Sequence, residues 1–407
     1  MASRERNYRI PHQVLRFAFP LRLIFWAGLA AICLLAGPIA AEQSGTAAKQ
    51  GLLPNGYLML VAGNRANTLT PEQLTLFAQS PYDGLAVRFL TQYDTTPPPT
   101  VEEMTARLQK LKKTNGKEYW PWVFLNRMVG KDAGFDSSYG RDPYFARTNG
   151  LDLEDKSGAK RDFLHIWRNS MRAARQAGMP GMVADFELYL NYKAYEPALL
   201  AKQIGKPVDE TLQLLNGLGR QLADAAAQEY PDGTIWFLFT DLGQLGWKTE
   251  GSVKYYPTPA YIVLGLLEEI RLKNYGLRVI SGGEVGLEYC SFNLDHLKRK
   301  IDGRARDFAP HLQQYPGSLE LGGTLILWPD RKSKTEFMAE GPCGKSAAAT
   351  VEEQEPYLEL LLSTYRYNWI YGTHNSGYDP FNPATAARFN GAILRAKAAA
   401  KKHGSTN

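Results

Sequence analysis

Two carboxylate residues separated by one aromatic residue end the apolar segment 181–187, whose sequence is GMVADFE. If this segment is a strand, Asp185 and Glu187 point to the same side, with Cα atoms about 6.6 Å apart. Two carboxylates this close raise the pKa of one of them. A protonated acid beside an ionised one is the arrangement that glycoside hydrolysis uses. We therefore take the pair as the leading catalytic candidate. The alternative is a solvated or salt-bridged pair at a strand end.

A third carboxylate follows two glycines in the segment Ser281-Gly282-Gly283-Glu284. Glycines in this place leave room for a ligand or a neighbouring backbone to approach closely. Glu284 would lie two strands from Glu187, about 10 Å away at the backbone. That separation permits a role as nucleophile or base and does not distinguish retention from inversion. The alternative is a glutamate that accepts backbone hydrogen bonds in a tight loop.

Other polar and aromatic residues end further apolar segments or follow them directly. Polar side chains could hydrogen-bond a hydroxylated ligand, and aromatic rings could stack on the C–H faces of sugars. The candidates are the polar residues Arg88, Asn126, Asp241 and Asp330, and the aromatic residues Trp247, Trp328, Trp369 and Tyr371.

Eight strand-like segments that alternate with helical ones would position these residues. They are 56–63, 83–90, 119–127, 181–187, 233–242, 277–285, 321–330 and 365–372. A repeated β-α order implies a parallel sheet, and eight units within residues 54–407 predict a single-domain (β/α)8 TIM barrel. An open doubly wound sheet is the alternative. It would have a glycine-rich phosphate turn after an early strand, whereas the first segment is followed by Asn64-Arg65.

The predicted loops are longer after the strands than before them, which is where barrel enzymes build their sites. The longest, about 128–158, exceeds the usual connection of two to six residues and is rich in glycine and aromatic residues. We expect it to form one wall of a sugar cleft. A disordered insertion is the alternative, which the acidic stretch 152–155 partly favours.

The N-terminus has the layout of a targeting segment. Arginines precede the uncharged apolar stretch 23–41, and small residues close it. Residues 1–41 are therefore either a cleaved signal or a retained membrane anchor, followed by a linker over 42–53. Both possibilities place the barrel outside the cytoplasm.

Charge and histidine content exclude several classes of function. Residues 1–22 hold five arginines and one glutamate, so they account for +4 of the formal net charge of +6 and leave +2 for the rest. A nearly neutral domain is not expected to bind nucleic acid. No histidine pair has metal-ligand spacing, and no phosphate-loop, H-E-x-x-H or G-x-S-x-G motif occurs. We expect no metal and no cofactor.

Two cysteines, Cys290 and Cys343, follow the predicted leader. In an oxidising compartment they could form a disulfide between the loops after the sixth and seventh strands. Two unrelated buried thiols are the alternative, because the sequence does not place their Cα atoms within bonding reach.

The D-x-E formed by Asp185 and Glu187 resembles the closing part of the chitinase-like motif of exported (β/α)8-barrel glycoside hydrolases, in which the glutamate is the acid. Trp369 is similar to the sugar-platform tryptophan of that group. The chain departs from the pattern at Val183, where the motif has a further Asp, and at Glu284, where the group has a Tyr-Asp signature.

The resemblance implies that Glu187 is the general acid, that Asp185 holds or tunes it, and that Trp328 and Trp369 are sugar platforms. Glu284 would be the nucleophile or base. We therefore predict a glycoside hydrolase of an extracytoplasmic polysaccharide. A non-catalytic carbohydrate-binding barrel tethered at the membrane is the main alternative, and a barrel enzyme of different chemistry is another, because this fold supports many reactions.

Overall fold

The computed structural model describes residues 56–90, 97–129, 150–188, 192–240, 242–243, 247–248, 254–284, 293–326, 351–372 and 380–404. Eight parallel strands form a closed barrel, in the order β1-β2-β3-β4-β5-β8-β9-β10, with β10 paired back to β1. The predicted (β/α)8 barrel is therefore confirmed, and the open sheet is excluded because β1 has a partner on each side. The strands are β1 (Tyr57–Arg65), β2 (Gly84–Arg88), β3 (Glu118–Phe124), β4 (Gly181–Asp185), β5 (Thr234–Phe237), β8 (Arg278–Ser281), β9 (Leu319–Ile326) and β10 (Tyr367–Tyr371).

Two further short strands, β6 (Trp247–Lys248) and β7 (Lys254–Tyr255), pair antiparallel in the connection after β5. Several barrel strands are shorter than the apolar segments that predicted them. The segment 233–242, for example, contributes only Thr234–Phe237 to the barrel. A strand ends where its backbone partners end, and the apolar pattern continues past that point into the loop.

Helices cover the outside of the barrel and begin at recognisable caps. Thr70 and Thr100 each accept a backbone hydrogen bond at a helix start and form a capping box with the glutamine or glutamate three residues later. The helices are α1 (Pro71–Gln79), α2 (Val101–Asn115), α3 (Ala159–Gln176), α4 (Pro197–Ile204), α5 (Val208–Glu229), α6 (Thr258–Lys273), α7 (Leu294–Gln314), α8 (Val351–Thr364) and α9 (Pro383–Gly404).

The strands divide their side chains between an outer and an inner core. Residues of one parity, such as Met182 and Ala184 of β4, pack with the helices. Residues of the other parity fill the barrel, where Tyr57, Trp120 and Trp236 meet with ring centroids 5.7–6.1 Å apart. The interior is therefore packed with large aromatic rings and is not an open pore.

Polar groups also occupy the N-terminal end of the barrel. The Tyr57 hydroxyl donates to Glu118 Oε2 over 2.6 Å and accepts from Trp120 Nε1 over 2.9 Å. Burial raises the pKa of Glu118, although the hydrogen bond from Tyr57 opposes that effect. Since barrel enzymes place their sites at the opposite end, this network serves stability.

Within the described residues, no helix is both long enough and apolar enough to cross a membrane. The predicted leader 1–41 and linker 42–53 lie outside those residues, as do Cys290 and Cys343. The predictions made for them stay predictions.

Candidate active site

Strand parity points Asp185 into the barrel at its C-terminal end. Val183, two residues earlier, belongs to the inner core, while Phe186 packs in the outer core. Asp185 is only 2% exposed. Its Oδ1 accepts the backbone N–H of Glu187 over 3.0 Å, so the carboxylate fixes the backbone that leaves the strand.

Burial raises the pKa of Asp185 from 3.8 to about 7. The backbone N–H of Glu187, the positive charge of Arg88 and the indole of Trp122 all favour the ionised form and partly oppose this effect. Burial thus outweighs the stabilising partners. At neutral pH the carboxyl exchanges a proton readily, which suits a group that tunes a neighbouring acid.

The segment that carries Glu187 is held from both sides. Asn126, in the 3-10 turn Leu125–Met128 after β3, donates its side-chain amide to the Glu187 carbonyl. On the other side, the Tyr195 hydroxyl accepts the Leu188 N–H over 2.6 Å. Asn126 is 1% exposed. It was predicted to bind substrate, but its amide is buried against the backbone and does not face a ligand.

Arg88 ends β2, and its positive charge lowers the pKa of Asp185. Its guanidinium carbon is 5.4 Å from the centre of the Trp122 ring, and the group also donates to the Gly63 carbonyl. Gly63 has φ +66°, and a Cβ there would come within 2.8 Å of the Arg88 Nη2 atom. The glycine therefore makes room for the guanidinium.

Tyr371, at the end of β10, is affected by the charges of all three predicted carboxylates. Burial raises the pKa of its phenol well above the ordinary value, and the charges of Glu284, Glu187 and Asp185, in that order, raise it further. Arg88 acts in the opposite direction. The three carboxylates thus belong to the same end of the barrel as this phenol, which stays protonated at neutral pH.

Glu284 is half-buried and follows a turn in which both glycines are necessary. Its N–H donates to the Leu238 carbonyl over 3.3 Å. A Cβ at Gly282 would lie 2.5 Å from the Phe237 carbonyl oxygen, and Gly283 has φ +85°. The close approach that Gly282 permits is made by protein groups of β5 and β10, and the approach that Gly283 permits is made by groups of β9 and α7.

Trp369 differs from its predicted role as an exposed sugar platform. The side chain is 1% exposed, and its Nε1 donates to the Gly282 carbonyl over 2.8 Å. In β10 it pairs with Met59 and Thr324, below the level of Tyr371. Strand parity turns it into the barrel, where neighbouring side chains cover both faces, so it acts as a core residue in this structure.

Several predicted site residues lie outside the described part of the chain: Asp241, Trp328, Asp330, the side chain of Trp247 and most of the loop 128–158. Among the described residues, no group of three or more His, Cys, Asp or Glu side chains could hold a metal ion.

Sequence reasoning missed two residues at this end of the barrel. Trp122 contacts both Arg88 and Asp185, and its inward parity in the aromatic third strand would have indicated this. Arg304, in α7, contacts the end of β8 and the middle of β9. No local pattern distinguishes Arg304 from the other basic residues of its helix.

Comparisons with known proteins give distant structural similarity only. No family model matches the chain, and no curated protein matches its sequence. A family 5 xyloglucanase from Paenibacillus pabuli is 13% identical with a TM-score of 0.45, over 86% of this chain and 99% of that one. An endo-glycoceramidase II from a Rhodococcus species is 10% identical with a TM-score of 0.44, over 82% and 78%.

A sugar phosphate isomerase/epimerase from Parabacteroides distasonis is similar to a comparable degree, at 11% identity and a TM-score of 0.38, over 82% of this chain and 96% of that one. Glycoside hydrolases are thus among the structural neighbours, and no specific family is confirmed. Similarity at these values carries no argument about activity.

Proposed function

We propose that this protein is a glycoside hydrolase that cleaves a polysaccharide by carboxylate acid/base catalysis. The observation that supports this most directly is that the charges of Asp185, Glu187 and Glu284 all raise the pKa of the Tyr371 phenol at the C-terminal end of a barrel. Paired carboxylates in different environments are what this reaction requires.

The burial of each carboxylate suggests its role. Glu187 is half-buried and lies beyond the strand end, so it can reach a substrate and serve as general acid. As the glycosidic C–O bond breaks, its proton passes to the leaving oxygen. Asp185 is buried behind it and exchanges protons near neutral pH, so it orients and tunes Glu187.

Glu284 completes the reaction in one of two ways. As a nucleophile it attacks the anomeric carbon, and water later displaces it. As a base it takes a proton from the attacking water. The protonated Tyr371 phenol and the Arg88 guanidinium offer hydrogen-bond donors between these carboxylates, where sugar hydroxyls would bind.

Action outside the cytoplasm is part of the same proposal. The support is the sequence alone: arginines, the apolar stretch 23–41 and the small residues that close it. A substrate outside the cytoplasm and a possible membrane attachment through 23–41 follow from that layout.

A screen of polysaccharides for released reducing ends tests the proposal, with the wild-type protein beside Glu187→Gln. We expect turnover of at least one polysaccharide, its loss in the variant, and retained binding of the sugar. Glu118→Gln is the matched control, because it also neutralises a half-buried carboxylate, but at the opposite end of the barrel.

Two results would contradict the assignment. Equal turnover by Glu187→Gln and wild type would remove Glu187 as the acid. Sugar binding without turnover by the wild type, across the screen, would favour the non-catalytic carbohydrate-binding barrel.

A further inference from the structure

Arg304 is a buried cation that the proposed reaction does not use. It lies in α7, is 4% exposed, and has Phe308 and Tyr365 against its guanidinium at 5.2 and 5.4 Å from the ring centres. Burial lowers the pKa of the group. A buried charge is costly unless its hydrogen bonds are well made, so its contacts need an explanation.

The guanidinium joins the C-terminal end of β8 to the middle of β9. Nη1 donates to the Gly322 carbonyl of β9 over 2.6 Å. Nη2 donates to the Ser281 carbonyl of β8 over 2.7 Å and to its hydroxyl over 3.0 Å. The Ser281 hydroxyl in turn contacts that of Thr240, after β5, at 2.8 Å. A planar fork of donors suits two carbonyls at once, which an ammonium group cannot match.

These contacts occur where the pairing of the two strands stops. The last paired residues of β8 and β9 are Ser281 and Leu321. Arg304 therefore binds the last paired residue of one strand and the first residue beyond the pair on the other. It takes the place of further backbone pairing between the two strands.

The contacts of Arg304 lie at the turn that carries Glu284. A Cβ at Gly283 would lie 2.9 Å from the Gly322 carbonyl oxygen and 3.1 Å from the Arg304 Cζ atom, so only glycine lets the guanidinium approach the turn. Gly283 has a left-handed backbone and directly precedes Glu284, so the turn that Arg304 contacts sets where the Glu284 backbone begins. The charge of Glu284 in turn raises the pKa of Tyr371.

We propose that Arg304 is a positioning residue that directs the Glu284 carboxylate to the mouth of the barrel by tying the end of β8 and the turn after it to β9. The catalytic meaning of this role rests on the proposed function. The position of Glu284 itself is measurable without any substrate.

The experiment uses the Tyr371 phenol as a reporter of the Glu284 charge. The full-length protein is labelled with fluorotyrosine, whose phenol is more acidic than that of tyrosine, and titrated by fluorine NMR. The Tyr371 signal is assigned by its loss in Tyr371→Phe. Glu187, Asp185 and Arg88 also act on this phenol and stay unchanged in every other variant.

Glu284→Gln should lower the pKa of the labelled Tyr371 and defines the full effect of that charge. Arg304→Lys, which retains the charge but not the fork, should lower it by a comparable amount. Once Glu284 is Gln, Arg304→Lys should add no further shift, because it acts through Glu284. Arg306→Lys, on the exposed side of the same helix, is the control and should leave the titration unchanged.

A Tyr371 pKa that Arg304→Lys leaves at the wild-type value, while Glu284→Gln lowers it, would overturn the proposal. So would an equal effect of Arg304→Lys with and without Glu284. If Arg304→Lys does not fold, Gly283→Ala disturbs the same contact and must show the same dependence on Glu284.

Once a substrate is known, Arg304→Lys should lower kcat with little change in KM, because the substrate-binding groups remain in place. Failure to find a substrate would count against the proposed function alone. The NMR titration would still decide whether Arg304 positions Glu284.

Discussion

Replacement of Asp185 by Asn should make the protein more stable at alkaline pH and less active. The folded state holds the Asp185 proton up to about pH 7, whereas an exposed aspartate releases it near 3.8. Between these values the folded state binds more protons than the unfolded state, so the stability falls as the pH rises. Each pKa unit corresponds to about 1.4 kcal/mol, which gives a loss of about 4 kcal/mol across the interval.

Asparagine has nearly the same shape and does not ionise. It keeps an oxygen that can accept the Glu187 N–H now bound by Asp185 Oδ1. The variant should therefore escape the loss and exceed the wild type by up to about 4 kcal/mol above pH 7. Near pH 4 the gain should vanish. A functional group that lowers stability in this way is typical of an active site.

Equilibrium unfolding in urea, at several pH values between 4 and 8, measures the difference directly. Asp224→Asn is the control of opposite sign. Burial alone would raise the pKa of Asp224, but hydrogen bonds from Lys273 and Tyr275 hold it below its ordinary value. That variant should be less stable than the wild type by a constant amount over this range, because the stability that ionised Asp224 contributes is fully present above pH 4. If the Asp185→Asn curve runs parallel to the wild type over the whole range, Asp185 is not a buried group with a raised pKa.

Four further predictions concern other parts of the molecule. Tyr57→Phe should lower the free energy of unfolding by about 1–3 kcal/mol, because it leaves Glu118 and Trp120 without their hydrogen-bond partner. Activity should not change, because these residues lie far from the site. Loss of activity in a folded variant would contradict the assignment of the N-terminal end of the barrel to stability. Trp369→Phe should cost about 1–3 kcal/mol, seen by thermal unfolding, because the buried Gly282 carbonyl loses its donor; an unchanged melting temperature with weakened sugar binding would restore the platform role. Replacement of 131–148 by a short Gly/Ser linker should leave the barrel folded and weaken polysaccharide binding or turnover; unchanged activity would refute this expectation. Cys290 and Cys343 should appear bridged in non-reducing mass spectrometry; two freely alkylated thiols in native protein would refute the bridge.

The order and number of the barrel strands could be predicted from the sequence because each strand is a local apolar run bounded by turns. Strand parity also places Asp185 on the inward side of β4, because Val183 packs in the inner core and Phe186 in the outer core. The ends of the strands could not be predicted as well. Hydrophobicity continues into the loops, whereas pairing stops where the neighbouring backbone turns away.

The predicted ligand-binding residues Asn126 and Trp369 differ from expectation because both side chains are buried. Asn126 and Trp369 end strands or follow them, as ligand-binding residues do, yet each is 1% exposed and hydrogen-bonded to backbone. Position along a strand predicts which end of the barrel a residue occupies. It does not predict whether a side chain from a neighbouring strand covers it.

The sequence by itself determined the alternation of strands and helices, the side of each strand that faces inward, and the end of the barrel at which Asp185, Glu187 and Glu284 are found. These properties depend on near neighbours in the chain. Only the tertiary structure decided that burial raises the pKa of Asp185 to about 7, that the charges of the three carboxylates act on Tyr371, and that Arg304 binds the turn before Glu284. Desolvation and convergence involve groups far apart in the chain, which meet only when the barrel closes.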